Sequence, residues 1–384
     1  MKRTVSVVLA IIFVLIPAAV IGIGLPWGYL PAYAVFDGGL LEHANAHVAA
    51  NFPARDTLAG WSLAVRVLGG QREHDQIFIV EDELIPALDP PLDDIVEDNT
   101  RAILEFARFV EQWQMPVYCM IIPTVSAIRQ PNLPNFLLGQ NVNQEQFIYD
   151  VYAQMLGRVR TIDAYNALSD VRDQYIFYRT ENNLTALGGF YLYYALGGSL
   201  LEGVTRPSLQ NYDIEHVKFD FLGDLYERSP FPNVRADILS IFRYRRAVPP
   251  REYTVVTGGN GVFKTYHTLF PLHVLDLAGN RAMEIYLGGL NAKTVITTSS
   301  PYPNNLLVIG DRTALAYVPF LANHYRTVTL LDLSQMSGED FEIIADAIRR
   351  NFYDQALFAF SIETYMHSPY PAWAIYLLPD LEDY

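Results

Sequence analysis

Apolar positions along this chain fall into blocks whose spacing names the secondary structure. Within residues 99–114, Ile103, Phe106, Val110 and Trp113 recur at helical intervals, and the run 117–122 comes next as an unbroken apolar stretch closed by Pro123. That pattern predicts a helix leading into a buried strand. The C-terminal third repeats it. An apolar strand at 306–309, a turn at Gly310-Asp311, a helix through about Leu321 and a second strand at 327–333 make a βαβ unit. Ser337-Gly338-Glu339-Asp340 has the form of an N-terminal cap for a helix over 341–350, with Phe341, Ile344, Ala345 and Ile348 on one face. A further strand is expected at 356–361. Three strands alternating with two helices predict a parallel sheet covered on both faces. Between about 206 and 276 the pattern loses regularity. Gly258-Gly259-Asn260-Gly261 reads as a hairpin turn between strands at 254–257 and 262–266. This region is expected to be an insertion beside the main sheet.

The N-terminus changes the picture. No charged residue occurs from Val5 through Phe36, and the densest apolar part, 5–25, is close to the ~20 residues that cross a hydrocarbon core. Lys2 and Arg3 precede it, which places the short N-terminus in the cytoplasm and the bulk of the chain across the membrane. The expectation is a retained anchor over residues 1–36 and an extracytoplasmic domain over 37–384. The alternative is a signal peptide cleaved near Ala32-Tyr33-Ala34, which lies well beyond the usual reach of such a segment. No repeat or long Gly/Ser linker divides the remainder, so one continuous domain is the simpler organisation.

A formal net charge of −15 argues against nucleic acid as a partner. The single cysteine, Cys119, sits inside the 117–122 run and reads as a buried thiol. There is no CxxC pair and no HExxH motif, and the glycines at 258–261 lack the helix and lysine of a phosphate loop. Neither a metal nor a cofactor is implied.

Two loops meet the predicted sheet at strand ends, where ligands bind in such folds: Gly310-Asp311-Arg312-Thr313, and the stretch 178–185 ahead of an apolar helix over 186–201. Asp311 and Asn183 have a plain reading as helix caps, and Asn183-Leu184-Thr185 is a sequon only in a glycosylating host. The stretch 178–190 also resembles the signature of the DHHW family, in which Tyr-x-Thr-Asp-His-His-Trp-Thr precedes a helix of glycines and aromatics. The block 306–333 is similar to that family's second motif, through Val318-Pro319-Phe320-Leu321, His324-Tyr325 and Asp332-Leu333. Phe52-Pro53-Ala54-Arg55-Asp56, Ile122-Pro123-Thr124 and Tyr286-Leu287-Gly288-Gly289 extend the resemblance over about residues 50–365.

The resemblance implies a flavodoxin-like, SGNH-type sheet. It also implies similarity to proteins that O-acetylate extracellular polysaccharides such as alginate beside a membrane-bound O-acyltransferase. Active members use Ser, His and Asp, in which imidazole takes the hydroxyl proton, the carboxylate orients the imidazole and backbone donors hold the oxyanion. Here the Asp position is Glu181, the His position Asn183 and the Ser position Arg312. An amide accepts no proton at neutral pH and a guanidinium is no nucleophile, so this triad is not intact. Leu290 and Ser334 depart from the family's Asn and Arg as well. Glu181 and Arg312 are long enough to meet as an ion pair filling the old site, a pairing that must be well hydrogen-bonded to be favourable. In a competing role Arg312 holds a sugar carboxylate or phosphate. The binding candidates are Gly310, Asp311, Arg312, Thr313, Gly288, Gly289 and Asn291.

A displaced catalytic centre would need a new base. Thr313 offers a hydroxyl, but His324 is 11 residues on, ~16 Å away along a helix at ~1.5 Å per residue. That leaves His267 and His273. The run Phe242-Arg243-Tyr244-Arg245-Arg246 stands out in an acidic chain, either as a contact for glycan or lipid headgroups or as a solvated loop. Three functions are expected. The first is a catalytically degenerate binding or assembly component of polysaccharide O-acetylation. The second is an acyltransferase or acetylesterase with a displaced centre. The third is a structural partner of a membrane protein.

Overall fold

The computed structural model describes residues 55–130, 133–134, 142–201, 204–245, 251–276 and 279–378. The candidate anchor at 5–25, the alternative cleavage site and Phe52-Pro53-Ala54 lie outside them. Among the described helices none is long and apolar enough to cross a membrane. The chain divides into two compact units, 1–71 with 230–232, and 72–229 with 233–384. In the first, the described element is the helix Arg55–Leu68.

The second unit opens on a small antiparallel sheet of β1 (Glu73–His74), β2 (Ile77–Val80) and β3 (Glu83–Pro86). The main sheet begins with β4 (Val117–Ile122) and β5 (Arg160–Thr161). A separate antiparallel pair comes next, β6 (Tyr212–Phe221) and β7 (Asp237–Tyr244), then β8 (Tyr253–Gly259) and β9 (Val262–Tyr266). The last strands are β10 (Lys293–Thr298), β11 (Asn305–Gly310), β12 (Thr327–Leu331) and β13 (Gln355–Ser361). The main sheet runs β5-β4-β13-β11-β12-β10-β8-β9, and its first five strands are parallel. The remaining three extend it antiparallel.

The expected hairpin therefore forms, with Asn260 and Gly261 at φ 50° and 76°, the two positive values that a tight hairpin turn needs. It does not lie beside the main sheet as the irregular sequence implied. β10 pairs with β8 along its whole length, so of the strands in this irregular region only β6 and β7 stand apart from the main sheet. The difference arises because residues 267–292, between β9 and β10, carry no strand signal that would link the hairpin to β10.

Parallel strands buried on both faces should read as continuous apolar runs, and β4, β11 and β12 are buried almost throughout. Successive side chains still divide between the two faces. Tyr118, Met120, Leu306, Val308 and Leu357 enter one core with the helices Ala186–Leu196 and Ala314–Leu321. Cys119, Ile121, Leu307, Ile309 and Phe358 enter the other, under Asp93–Val110 and Gly338–Arg349. Cys119 is fully buried, and burial pushes its thiol up to about 12, so it is inert packing.

Helix Asp93–Val110 starts six residues ahead of the expected 99. Its opening residues, Asp93 and Asp94, suit the positive end of the helix, and Val96 in the same turn already packs against the core. Helix Ala186–Leu196 stops five residues short of the expected 201, at Gly197-Gly198. It crosses helix Ala314–Leu321 so closely that a Cβ on Gly189 would stand 1.9 Å from the Ala316 carbonyl oxygen, which only glycine permits. Ser337 and Asp340 make the expected capping box.

Candidate functional site

Three parallel strands end around one cleft. After β4 come Pro123 and Thr124, after β11 come Asp311 to Thr313, and β13 closes on Ser361. Opposite them stands the loop that connects Phe177 to Leu184, two residues joined as an antiparallel bridge. Together they enclose about 270 Å³ at the carboxyl ends of the strands.

The loop is fixed from below by Asp237, which is fully buried at the start of β7. Its carboxylate accepts the backbone N–H groups of Arg179 (2.9 Å) and Thr180 (2.8 Å), the Thr180 hydroxyl (2.6 Å) and the Tyr175 hydroxyl. So held, the loop presents Glu181, Asn182 and Asn183. Glu181 is 2% exposed, with Oε1 3.2 Å from Arg312 Nη2 and Oε2 accepting the Asp224 N–H at 3.1 Å. Asn183 donates from Nδ2 to the Arg312 carbonyl (3.1 Å) and accepts the Leu184 N–H (2.7 Å). Glu181 and Asn183 thus both contact Arg312, which brings together the three positions that the family resemblance singled out.

The expected contact between Glu181 and Arg312 forms, but its surroundings set its charge state. Burial, and next the neighbouring Asp224, push the Glu181 carboxyl up to about 8, and Arg312 offsets only part of this. At neutral pH the contact is mostly a hydrogen bond from a cation to a neutral acid. It becomes a full ion pair as the pH rises through about 8.

Asp311 ties two strand ends together. Oδ1 accepts from the Thr313 N–H (3.0 Å) and hydroxyl (2.5 Å), and Oδ2 from the Ser361 N–H (2.7 Å). Asp311 therefore caps the turn ahead of helix Ala314–Leu321 rather than the helix itself, whose N-cap position is Thr313. Asn183 does not cap its helix. Thr185 does, accepting from the Gly188 N–H, because Asn183 lies in the loop itself.

A second cleft of about 640 Å³ adjoins the first, and Arg312 lines both. Gly288, Gly289 and Asn291 line this larger one together with Lys264 and Arg281. Gly288 and Gly289 hold φ of 80° and 92°, and Asn291 braces their turn by donating to Thr257 Oγ1 at 3.0 Å. Gly310 lines neither cleft; it is a close-packing position, where a Cβ would meet the Ala359 carbonyl at 2.6 Å.

Among the described residues no histidine lines either cleft. His273 rests against the Tyr266 ring, and His267 is likewise outside both linings. His324 stands at the opposite end of the sheet, in a cavity with Tyr118 and Gln355, where its Nε2 pairs with the Tyr193 hydroxyl at 2.8 Å. No group of three His, Cys, Asp or Glu among the described residues is placed to share a metal ion.

The basic run at 242–246 is strand, not loop, as far as Tyr244. Arg243 pairs with Glu215 (2.9 Å) and Arg245 with Asp213 (3.4 Å), the acids of the neighbouring strand, so both cations are neutralised within the sheet. Arg246 lies outside the described residues. Asp224 and Asp237, which shape the site most, carried no sequence signal because both fall in the irregular region.

The DHHW protein family matches residues 91–331 of this sequence. Comparison with curated proteins gives no match. Among solved structures, a DHHW family protein from Eubacterium siraeum is similar with a TM-score of 0.62 and 19% identity, over 78% of this chain and 93% of that one. Bacillus cereus PatB1, solved with a sulfonyl adduct, is similar with a TM-score of 0.64 and 14% identity, over 78% of this chain and 98% of its own. At these identities the likeness is one of fold.

Proposed function

This chain belongs to the DHHW family, and from that premise we propose that it is a catalytically degenerate member, a binding or assembly component of polysaccharide O-acetylation at the cell envelope. One observation carries the reading: Arg312, bonded to Glu181 and Asn183, occupies the place of the family's nucleophile, with no histidine in the cleft among the described residues. General-base catalysis needs a proton acceptor within hydrogen-bond reach of the nucleophile. Here the Asn183 amide points its donor at a carbonyl, the Thr313 hydroxyl gives its proton to Asp311, and the other hydroxyls of the cleft, Thr124, Ser361 and Thr364, bond to hydroxyls or backbone with no imidazole beside them. The cleft lies at the strand ends, where such folds bind ligands, which supports a binding role. The apolar segment at 5–25 is assigned to a single anchor that holds the domain outside the cytoplasm, beside a membrane-bound O-acyltransferase.

Hydrolysis of a chromogenic acetyl ester tests the reading. The protein is expected to give the rate of buffer alone, unchanged by Thr313→Ala. The triple substitution Glu181→Asp, Asn183→His and Arg312→Ser should raise the rate by about 10²-fold, the usual scale of a restored acid–base pair. Turnover by the native chain that Thr313→Ala removes would overturn the proposal.

A further inference from the structure

The surface that adjoins the Arg312 cleft carries a second groove with a different chemistry. It holds about 580 Å³ between helix Gly338–Arg349 and the C-terminal turn Tyr370–Leu377. Phe341, Trp373 and Tyr376 supply its rings. Tyr376 is 62% exposed and meets Phe341 edge-on at 5.8 Å. Trp373 is half-buried, and Tyr370, 38% exposed, meets it edge-on at 4.9 Å. Aromatic side chains left in water at one place cost solvation that a folded chain ordinarily avoids, and they are the types that dominate binding energy when covered.

We propose that this groove is a second subsite of the same ligand track, and that the chain therefore holds an extended polysaccharide rather than one sugar or a small ester. The inference rests on the glycan-binding reading of the Arg312 cleft. Two further features point to sugar. Glu342 and Arg349 line the groove seven residues apart, two turns along one helix face, and neither bonds to any described residue. A pyranose offers apolar C–H faces to stack on rings and hydroxyls that both donate and accept at its rim. One carboxylate and one guanidinium beside three rings meet each of those needs. A purely apolar partner would leave both charges uncompensated.

Continuity makes the groove part of the track. Gln335 lines the Arg312 cleft, and Gly338, three residues on, lines the aromatic groove. Asn260 of the β8–β9 turn lines the first cleft as well. A chain laid past Arg312 and Gln335 runs next over Gly338 toward Tyr376.

The test is a calorimetric titration of the full chain with hexasaccharides of β-1,4-linked glucose, N-acetylglucosamine and mannuronate, each against its own disaccharide. At least one hexasaccharide is expected to bind about tenfold or more tightly than its disaccharide, the scale of one or two ring contacts. Tyr376→Ala and Arg349→Ser, both at exposed positions, should remove that length advantage and leave disaccharide affinity unchanged. A length advantage that survives both substitutions and Trp373→Ala overturns the second subsite while sparing the glycan-binding reading. If no glycan of either length binds, both fall.

Discussion

A buried carboxyl at one end of the parallel sheet and a buried imidazole at the other are both pushed toward their neutral forms, in opposite senses. At the carboxyl end Glu181 is pushed up to about 8, by burial first and by Asp224 next. At the amino end His324 is pushed down to about 4, by burial first and by Arg251 next. A hydrolytic triad needs a carboxylate and an imidazole side by side. This chain owns both kinds of group, but β11, six residues long, separates the two ends by ~20 Å at ~3.3 Å per residue. No side-chain rotation closes such a gap. The difference between the ends is also one of partnership. His324 is stacked on Tyr193 and bonded to its hydroxyl, whereas Glu181 sits among groups that contest its charge. Contested charge distinguishes the carboxyl end, whereas the amino end is ring packing around His324, whose Nε2 is bonded and whose buried Nδ1 has no partner among the described residues.

The largest expected effect comes from the second half of that contrast. His324 is 5% exposed, with its ring stacked on Tyr193 at 5.7 Å. His324→Ala should cost about 3–5 kcal/mol, from the void and from the orphaned Tyr193 hydroxyl. Urea unfolding measures it, and a cost below about 1 kcal/mol would break the assignment of the amino end to the core.

The pH dependence of stability separates the ends directly. His324 has a folded value below its ordinary 6.5, so the unfolded chain binds more protons there. Its contribution is present above about 6.5 and is lost as the pH falls toward 4. Glu181 has a folded value above its ordinary 4.5, so the folded chain binds more protons. Its contribution is present below about 4.5 and is lost as the pH rises through about 8. The two oppose each other between about 4.5 and 6.5, leaving 6.5–8 to Glu181 alone. There stability should fall by about 1–2 kcal/mol, given about 1.4 kcal/mol per pH unit for one proton. Glu181→Gln should flatten that window and leave the acid limb in place. A decline of equal size in the glutamine variant would detach the effect from this residue.

Much of this architecture was written in the chain. The buried strand at 117–122, the βαβ unit that opens at Leu306 and the cap at Ser337 announced themselves, since apolar runs and capping residues act over a few positions. Convergence of residues 181, 183 and 312 was legible through the family motifs rather than through any local pattern. Asp224 and Asp237 were not legible, although one shifts Glu181 and the other holds its loop. Both act across more than 40 residues of chain, from a region without periodicity, where a lone aspartate looks like any loop acid. The pairing of β8 with β10 escaped for the same reason: strand order is a tertiary fact, and residues 267–292 between them carry neither alternation nor helical spacing.

The smallest expected effect sharpens the carboxyl end most. Arg312 is 37% exposed, so water and salt screen its attraction for Glu181, and the contact contributes only about 0–1 kcal/mol. Arg312→Met, which keeps the stem and removes the charge, should therefore change stability little at pH 6, where Glu181 is already protonated. It should matter more above pH 8, because the cation is one of the few groups that favour the ionised carboxyl. Without it the Glu181 transition moves to higher pH, and the decline in stability that begins near 6.5 extends further into the alkaline range. Unfolding measured across pH 6–9 distinguishes this from a purely mechanical role. If Arg312→Met instead costs several kcal/mol at pH 6, the guanidinium is holding the loop at 177–184 in place, and its contact with Glu181 is structural cement rather than a substitute for the family's reactive pair.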